Sequence, residues 1–152
     1  MNVEYGLAGR VTTKGDVYSY GIVLLEMLTG KKPTNNMFVE GMDLQKWVGN
    51  AFPNRVGEVV DISLLRSTST SIEEDNNLIC LRQLINVGLL CTKESPEGRP
   101  SMMDIVGTLQ IIRETFLGVV GIPKLQSDIT HLLGNSSTAR NNTTEAHSSS
   151  SF

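Results

Sequence analysis

Residues Thr13–Pro33 read TKGDVYSYGIVLLEMLTGKKP, and between Asp16 and Gly30 the only charge is Glu26. A helix over Asp16–Gly30 is apolar on nearly every face, which in a water-soluble fold means enclosure by other segments. The run is too short for a bilayer, whose hydrocarbon core takes roughly 20 apolar residues. It also lacks the charged leader and small-residue cleavage site of a signal peptide. Gly30 with Pro33 just beyond is a stop signal. The fold therefore turns on what buries this helix.

The whole chain has 152 residues, 39% of them hydrophobic and 5% aromatic, with a formal net charge of -3. One domain is the expectation for that length. Nucleic acid is excluded as a partner, because phosphate binding needs clustered Lys and Arg. Lys31 and Lys32 are the densest basic pair, and they sit where a helix C-terminus favours cations. Cys80 and Cys91 on one helix stand about 16 Å apart at 1.5 Å per residue, too far for a disulfide, which needs Cα atoms within about 7 Å. They read as free, packed thiols. With His131 and His147 both near the C-terminus, the four residues do not have the spacing of a zinc site.

Three further helices follow from periodicity and caps. Asp43–Phe52 is capped by Asp43, carries Leu44, Trp47 and Val48 on one face, and is closed by Pro53. A third helix covers about Glu74–Thr92, with Leu78, Leu81, Ile85 and Leu89 on one stripe. The fourth starts at Ser101, with Asp104 completing an approximate capping box. Its predicted stripe is Met102, Ile105, Val106, Leu109, Ile112 and Phe116. Residues 55–65, RVGEVVDISLL, read as a short helix or turn, and a long loop spans Gly30–Gly41. No alternating strand pair appears. The fold class is all-α, four main helices plus a tail. Residues 118–152 read as polar and largely disordered, most plainly from Gly134 onward. Two Asn-x-Ser/Thr matches there are chance occurrences in a Ser/Thr/Asn-rich run, and phosphorylation of the serines is unspecific.

Five blocks in order resemble the second half of the large lobe of a protein kinase. They are EYG at Glu4–Gly6, TTKGDVYSYGIVLLEMLTGKKP at Thr12–Pro33, DLQKWV at Asp43–Val48, VGLLCT at Val87–Thr92 and GRPSMMDIVGTLQ at Gly98–Gln110. The narrower resemblance is to plant receptor-like serine/threonine kinases, of the leucine-rich-repeat type by overall texture. It implies that residues 1–117 are the C-terminal portion of a kinase domain and that Asp16–Gly30 is the buried central helix of its large lobe.

Structural roles follow by the same resemblance. Glu4 matches the glutamate that closes the activation segment, and Arg99 the arginine that pairs with it. Asp16 matches the aspartate that holds the catalytic-loop backbone. Trp47 lies where kinases dock partners and is a candidate aromatic anchor; the competing reading is packing against the fourth helix.

Phosphoryl transfer requires positioned parts: a Gly-rich loop, a lysine on a strand, a His-Arg-Asp loop and an Asp-Phe-Gly for magnesium. None of these motifs occurs in the 152 residues, so no catalytic, cofactor or metal residue is assigned. The implied function is that of the C-terminal piece of a receptor-like serine/threonine kinase, inactive by itself. ATP and magnesium belong to the complete parent, and the location is cytoplasmic, on the inner side of the plasma membrane through that parent. The alternative is a non-catalytic binding module or decoy that meets protein partners through the docking surface. The central helix is expected to present an uncovered apolar face, leaving the isolated chain poorly soluble, loosely packed or partner-dependent.

Overall fold

The computed structural model describes residues 4–65, 71–118 and 122–138. Seven α-helices are seen among them: α1 (Glu4–Thr29), α2 (Leu44–Ala51), α3 (Val56–Val59), α4 (Ile62–Leu65), α5 (Ser71–Cys91), α6 (Met102–Phe116) and α7 (Ile122–Thr138). A 3-10 turn, Pro96–Gly98, joins α5 to α6. No strand occurs among the described residues, so the all-α expectation holds, with α1, α2, α5 and α6 as its four main helices.

The first helix begins at Glu4 and not at Asp16, and runs for 26 residues. No proline lies between Glu4 and Thr29 to stop it, and Leu7, Ala8 and Arg10 are good helix formers. Its end follows the sequence signal. Gly30 adopts a left-handed conformation with φ 65°, and its N–H donates to Glu26 O at 2.9 Å. The N–H of Asp61, arriving from the α3–α4 junction, donates to Leu28 O at 2.8 Å and occupies one of the orphan carbonyls of the last turn.

Caps at the other predicted starts form as read. The Asp43 carboxylate accepts from Lys46 N–H at 2.8 Å. At α6 the capping box closes both ways: Asp104 N–H donates to Ser101 Oγ at 3.1 Å, and Ser101 N–H to Asp104 Oδ2 at 3.3 Å.

The core runs through α1, α2, α5 and α6, with Val17, Leu25, Leu44, Val48, Ile85 and Ile105 fully enclosed. α5 packs most extensively on α1 and also touches α2 and α6. The predicted α6 stripe is partly overturned. Ile105 and Ile112 are buried as expected and Leu109 is half-buried, but Met102, Val106 and Phe116 are exposed. Thr108 and Thr115 take the inward positions instead. Their hydroxyls donate to Asp104 O (2.7 Å) and Ile111 O (2.9 Å), which removes the cost of burying them. Thr29 and Thr92 do the same to Leu25 O (2.8 Å) and Gly88 O (2.9 Å).

The expectation of an unstructured segment from residue 118 is corrected over Ile122–Thr138. There α7 lies against α6, with Leu125 and Ile129 buried. A low average hydrophobicity concealed a helix that needs only a narrow apolar stripe. Residues 139–152 lie outside the described residues.

α1 is not fully covered. Leu24, Leu25 and Leu28 are buried, yet Val23 is 51% and Met27 70% exposed, one turn apart on the same side. These two residues form an open apolar side on α1.

Candidate functional site

Of the residues that the sequence singles out, Arg99 gathers the densest set of polar contacts among the described residues. This residue follows the 3-10 turn in an extended conformation, with φ -79° and ψ 142°, which directs its side chain back toward α1. Its Nε donates to Lys93 O at 2.8 Å, Nη1 to Lys14 O at 3.0 Å and Nη2 to Glu94 O at 3.3 Å. The Arg99 Cζ lies 4.9 Å from the centre of the Tyr18 ring, within cation–π range. Lys14 returns the contact: its Nζ donates to Arg99 O at 2.8 Å. Tyr18 in turn accepts from Gln45 Nε2 at 2.6 Å.

One guanidinium therefore joins α1 to the α5–α6 connection, and Tyr18 extends the contact to the N-terminal turn of α2. The planar fork of arginine suits this, since it presents several donors in fixed directions. Beside it a cleft of about 290 Å3 is bordered by Asp43, Lys46, Lys93 and Glu94, two carboxylates and two cations whose charges cancel.

Of the other expected residues, Asp16 lies inside α1 and is exposed, not at a helix start. The Glu4 side chain lies outside the described residues. Among the described residues Arg99 meets carbonyls and no carboxylate. Trp47 is half-buried and meets Phe38 edge-on, ring centres 5.9 Å apart. The pair fastens the Gly30–Gly41 loop to α2.

The reactive-group inventory is quiet. Cys80 and Cys91 are free and buried, as the spacing argument requires. Burial pushes the Cys91 thiol up to about 11 and raises that of Cys80, so neither is a thiolate at neutral pH. Burial, and to a smaller degree Cys91, also raises Tyr20. Among the described residues no three His, Cys, Asp or Glu side chains converge as metal ligands. None of their helices is long and apolar enough to cross a membrane. The arrangement around Arg99 positions helices.

Sequence reading missed Lys14, Tyr18 and Gln45, whose roles exist only once distant segments meet. It also missed Gly21 and Gly88. Their signal was available, since a glycine inside a helix costs about 1 kcal/mol and usually marks a close approach.

The family model for "Protein tyrosine and serine/threonine kinase" matches residues 1–109. This chain belongs to the protein kinase family. Its kinase relatives are plant receptors. It is 39% identical over 112 residues to the LRR receptor-like serine/threonine-protein kinase RGI1 of Arabidopsis thaliana, covering 73% of this chain and 9% of that protein. It is 34% identical over 122 residues to the receptor kinase-like protein Xa21 of Oryza sativa subsp. japonica, covering 76% of this chain and 12% of that one. A third relative, named "Probable inactive receptor kinase RLK902" in Arabidopsis thaliana, is 41% identical over 115 residues, covering 74% of this chain and 17% of its own length.

The kinase chain thus spans 9% to 17% of the lengths of these relatives. Its all-helical fold is consistent with part of the large lobe of a kinase.

Proposed function

We propose that this chain is the helical platform of a receptor-like serine/threonine kinase, and that by itself it transfers no phosphoryl group. The uncovered apolar side of α1 carries this reading. Val23 and Met27 stand exposed on a helix whose Val17, Leu24, Leu25 and Leu28 are buried, as suits a support on which further lobe segments rest.

In the complete parent, ATP and magnesium supply the phosphoryl group and its charge compensation, and the protein contributes position and electrostatics. The part of this chain is to fix the lobe: Arg99 holds α1 to the α5–α6 connection, and α1 presents its open side. Through a membrane-anchored parent the platform works at the cytoplasmic face of the plasma membrane. The alternative of a binding module centred on Trp47 is less well supported, because Phe38 already occupies one edge of that ring.

The test has two arms. Purified chain mixed with ATP, magnesium and a generic protein substrate should incorporate no phosphate. A receptor-kinase domain whose matching segment is exchanged for residues 4–117 of this chain should keep its phosphotransfer activity. Transfer by the chain alone, or a folded but inactive chimera, would overturn the proposal.

A further inference from the structure

α4, α5 and α6 enclose an open cleft of about 420 Å3 that plays no part in holding α1. Leu64 of α4, Leu81 and Leu84 of α5, and Leu109, Ile112 and Phe116 of α6 form its walls. That volume falls in the range of small-molecule sites, roughly 300–1,000 Å3, which are mostly apolar with a few orienting polar groups.

The polar groups of this wall are nearly all spent. Asn77 Nδ2 donates to Leu64 O at 2.9 Å, and the Cys80 thiol faces Ile112 O at 4.0 Å. The exception is Arg113, which borders the cleft and forms no ion pair among the described residues. An extended peptide laid here would strand its own N–H and C=O groups against hydrocarbon, at a cost of several kcal/mol for each unpaired group. An alkyl chain has no such groups to strand.

We propose that this cleft binds a linear amphiphile with one anionic head, a medium- or long-chain fatty acid. Its chain lies between α5 and α6, and its carboxylate meets the Arg113 guanidinium. A carboxylate fits that cation by two parallel hydrogen bonds. The exposed Phe116 ring, 61% accessible, then lies against the chain near the opening.

Titration calorimetry of the full 152-residue chain with decanoate, dodecanoate and dodecanol tests this below their aggregation concentrations. Affinity should rise about tenfold from decanoate to dodecanoate, as burial of two methylenes implies. Arg113→Gln should weaken dodecanoate about tenfold and leave dodecanol unchanged. Leu84→Trp, which fills the cleft, should abolish both, and Met27→Ser on α1 should change neither. Absence of binding overturns the proposal. So does an Arg113→Gln chain that holds dodecanoate as tightly as the parent, or equal weakening by Met27→Ser, which would place the ligand on α1.

Discussion

Gly21 of α1 and Gly88 of α5 face one another at the helix crossing, and neither position has room for a methyl group. A Cβ on Gly21 would lie 2.6 Å from Cys91 Cβ, 2.7 Å from Thr92 Cγ2 and 3.0 Å from Gly88 O. A Cβ on Gly88 would lie 2.6 Å from Leu25 Cδ2 and 2.9 Å from its Cγ. The two main helices of the lobe therefore meet backbone to backbone, and the largest interface in the fold depends on the absence of two side chains.

Gly21→Ala is expected to destabilise the chain. Alanine gains about 1 kcal/mol of helix propensity, but overpacking a tight crossing costs about 1–3 kcal/mol or more, here against a Cβ and a backbone carbonyl that cannot swing away. The net loss should be about 1–2 kcal/mol, read as a lower urea midpoint. Gly88→Ala clashes only with the Leu25 side chain, so in a double-mutant cycle its cost should be smaller in a Leu25→Ala background than in the parent chain. The cost of Gly21→Ala should be the same in both backgrounds.

Arg99→Lys should cost about 1–2 kcal/mol, because an ammonium keeps one of three charge-assisted bonds and loses the fork. Denaturant unfolding measures it. A partner variant, Lys14→Met, removes the reciprocal bond to Arg99 O and should be less damaging, since it leaves the guanidinium in place. Equal stability of Arg99→Lys and the parent chain would falsify the clamp.

Cys91 makes stability depend on alkaline pH. Its folded pKa, raised by burial to about 11, exceeds the ordinary thiol value of 9.0. The protonated form is thus favoured in the fold. The contribution is fully present below pH 9 and is lost as pH rises toward 11. Unfolding midpoints measured from pH 8 to 11 should fall more steeply for the parent than for Cys91→Ala. Below pH 9 native Cys91 should react with a thiol reagent far more slowly than in the denatured chain.

Met27→Lys should raise the soluble yield of the isolated chain while shifting its stability by no more than about 0.5 kcal/mol, as is usual for an exposed site. Placed in a complete receptor-kinase domain, the same change should lower both stability and activity, because there the lysine would be enclosed. Comparing the two contexts by thermal unfolding reveals whether this side of α1 is covered in the parent.

Local chemistry made much of this architecture legible. Asp43, Ser101 and Gly30 each act on backbone groups within a few residues, so the starts of α2 and α6 and the end of α1 could be read directly. The α6 stripe could not be read as closely, because Thr108 and Thr115 turn inward only when their hydroxyls bond to their own helix. α7 was obscured by its polar neighbours, although Leu125 and Ile129 lie one turn apart. The family blocks marked Arg99, but its carbonyl cage depends on Lys14, 85 residues away, and no local pattern encodes that meeting.

The buried threonines Thr29, Thr92, Thr108 and Thr115 each spend their hydroxyl on the backbone of their own helix. None of these four bonds binds one rod to the next. At the α1–α5 crossing, contact then rests largely on shape and dispersion. Small sliding adjustments at that joint would break none of these bonds, so the assembly has the mechanical character of stacked, self-contained cylinders indexed by two notches.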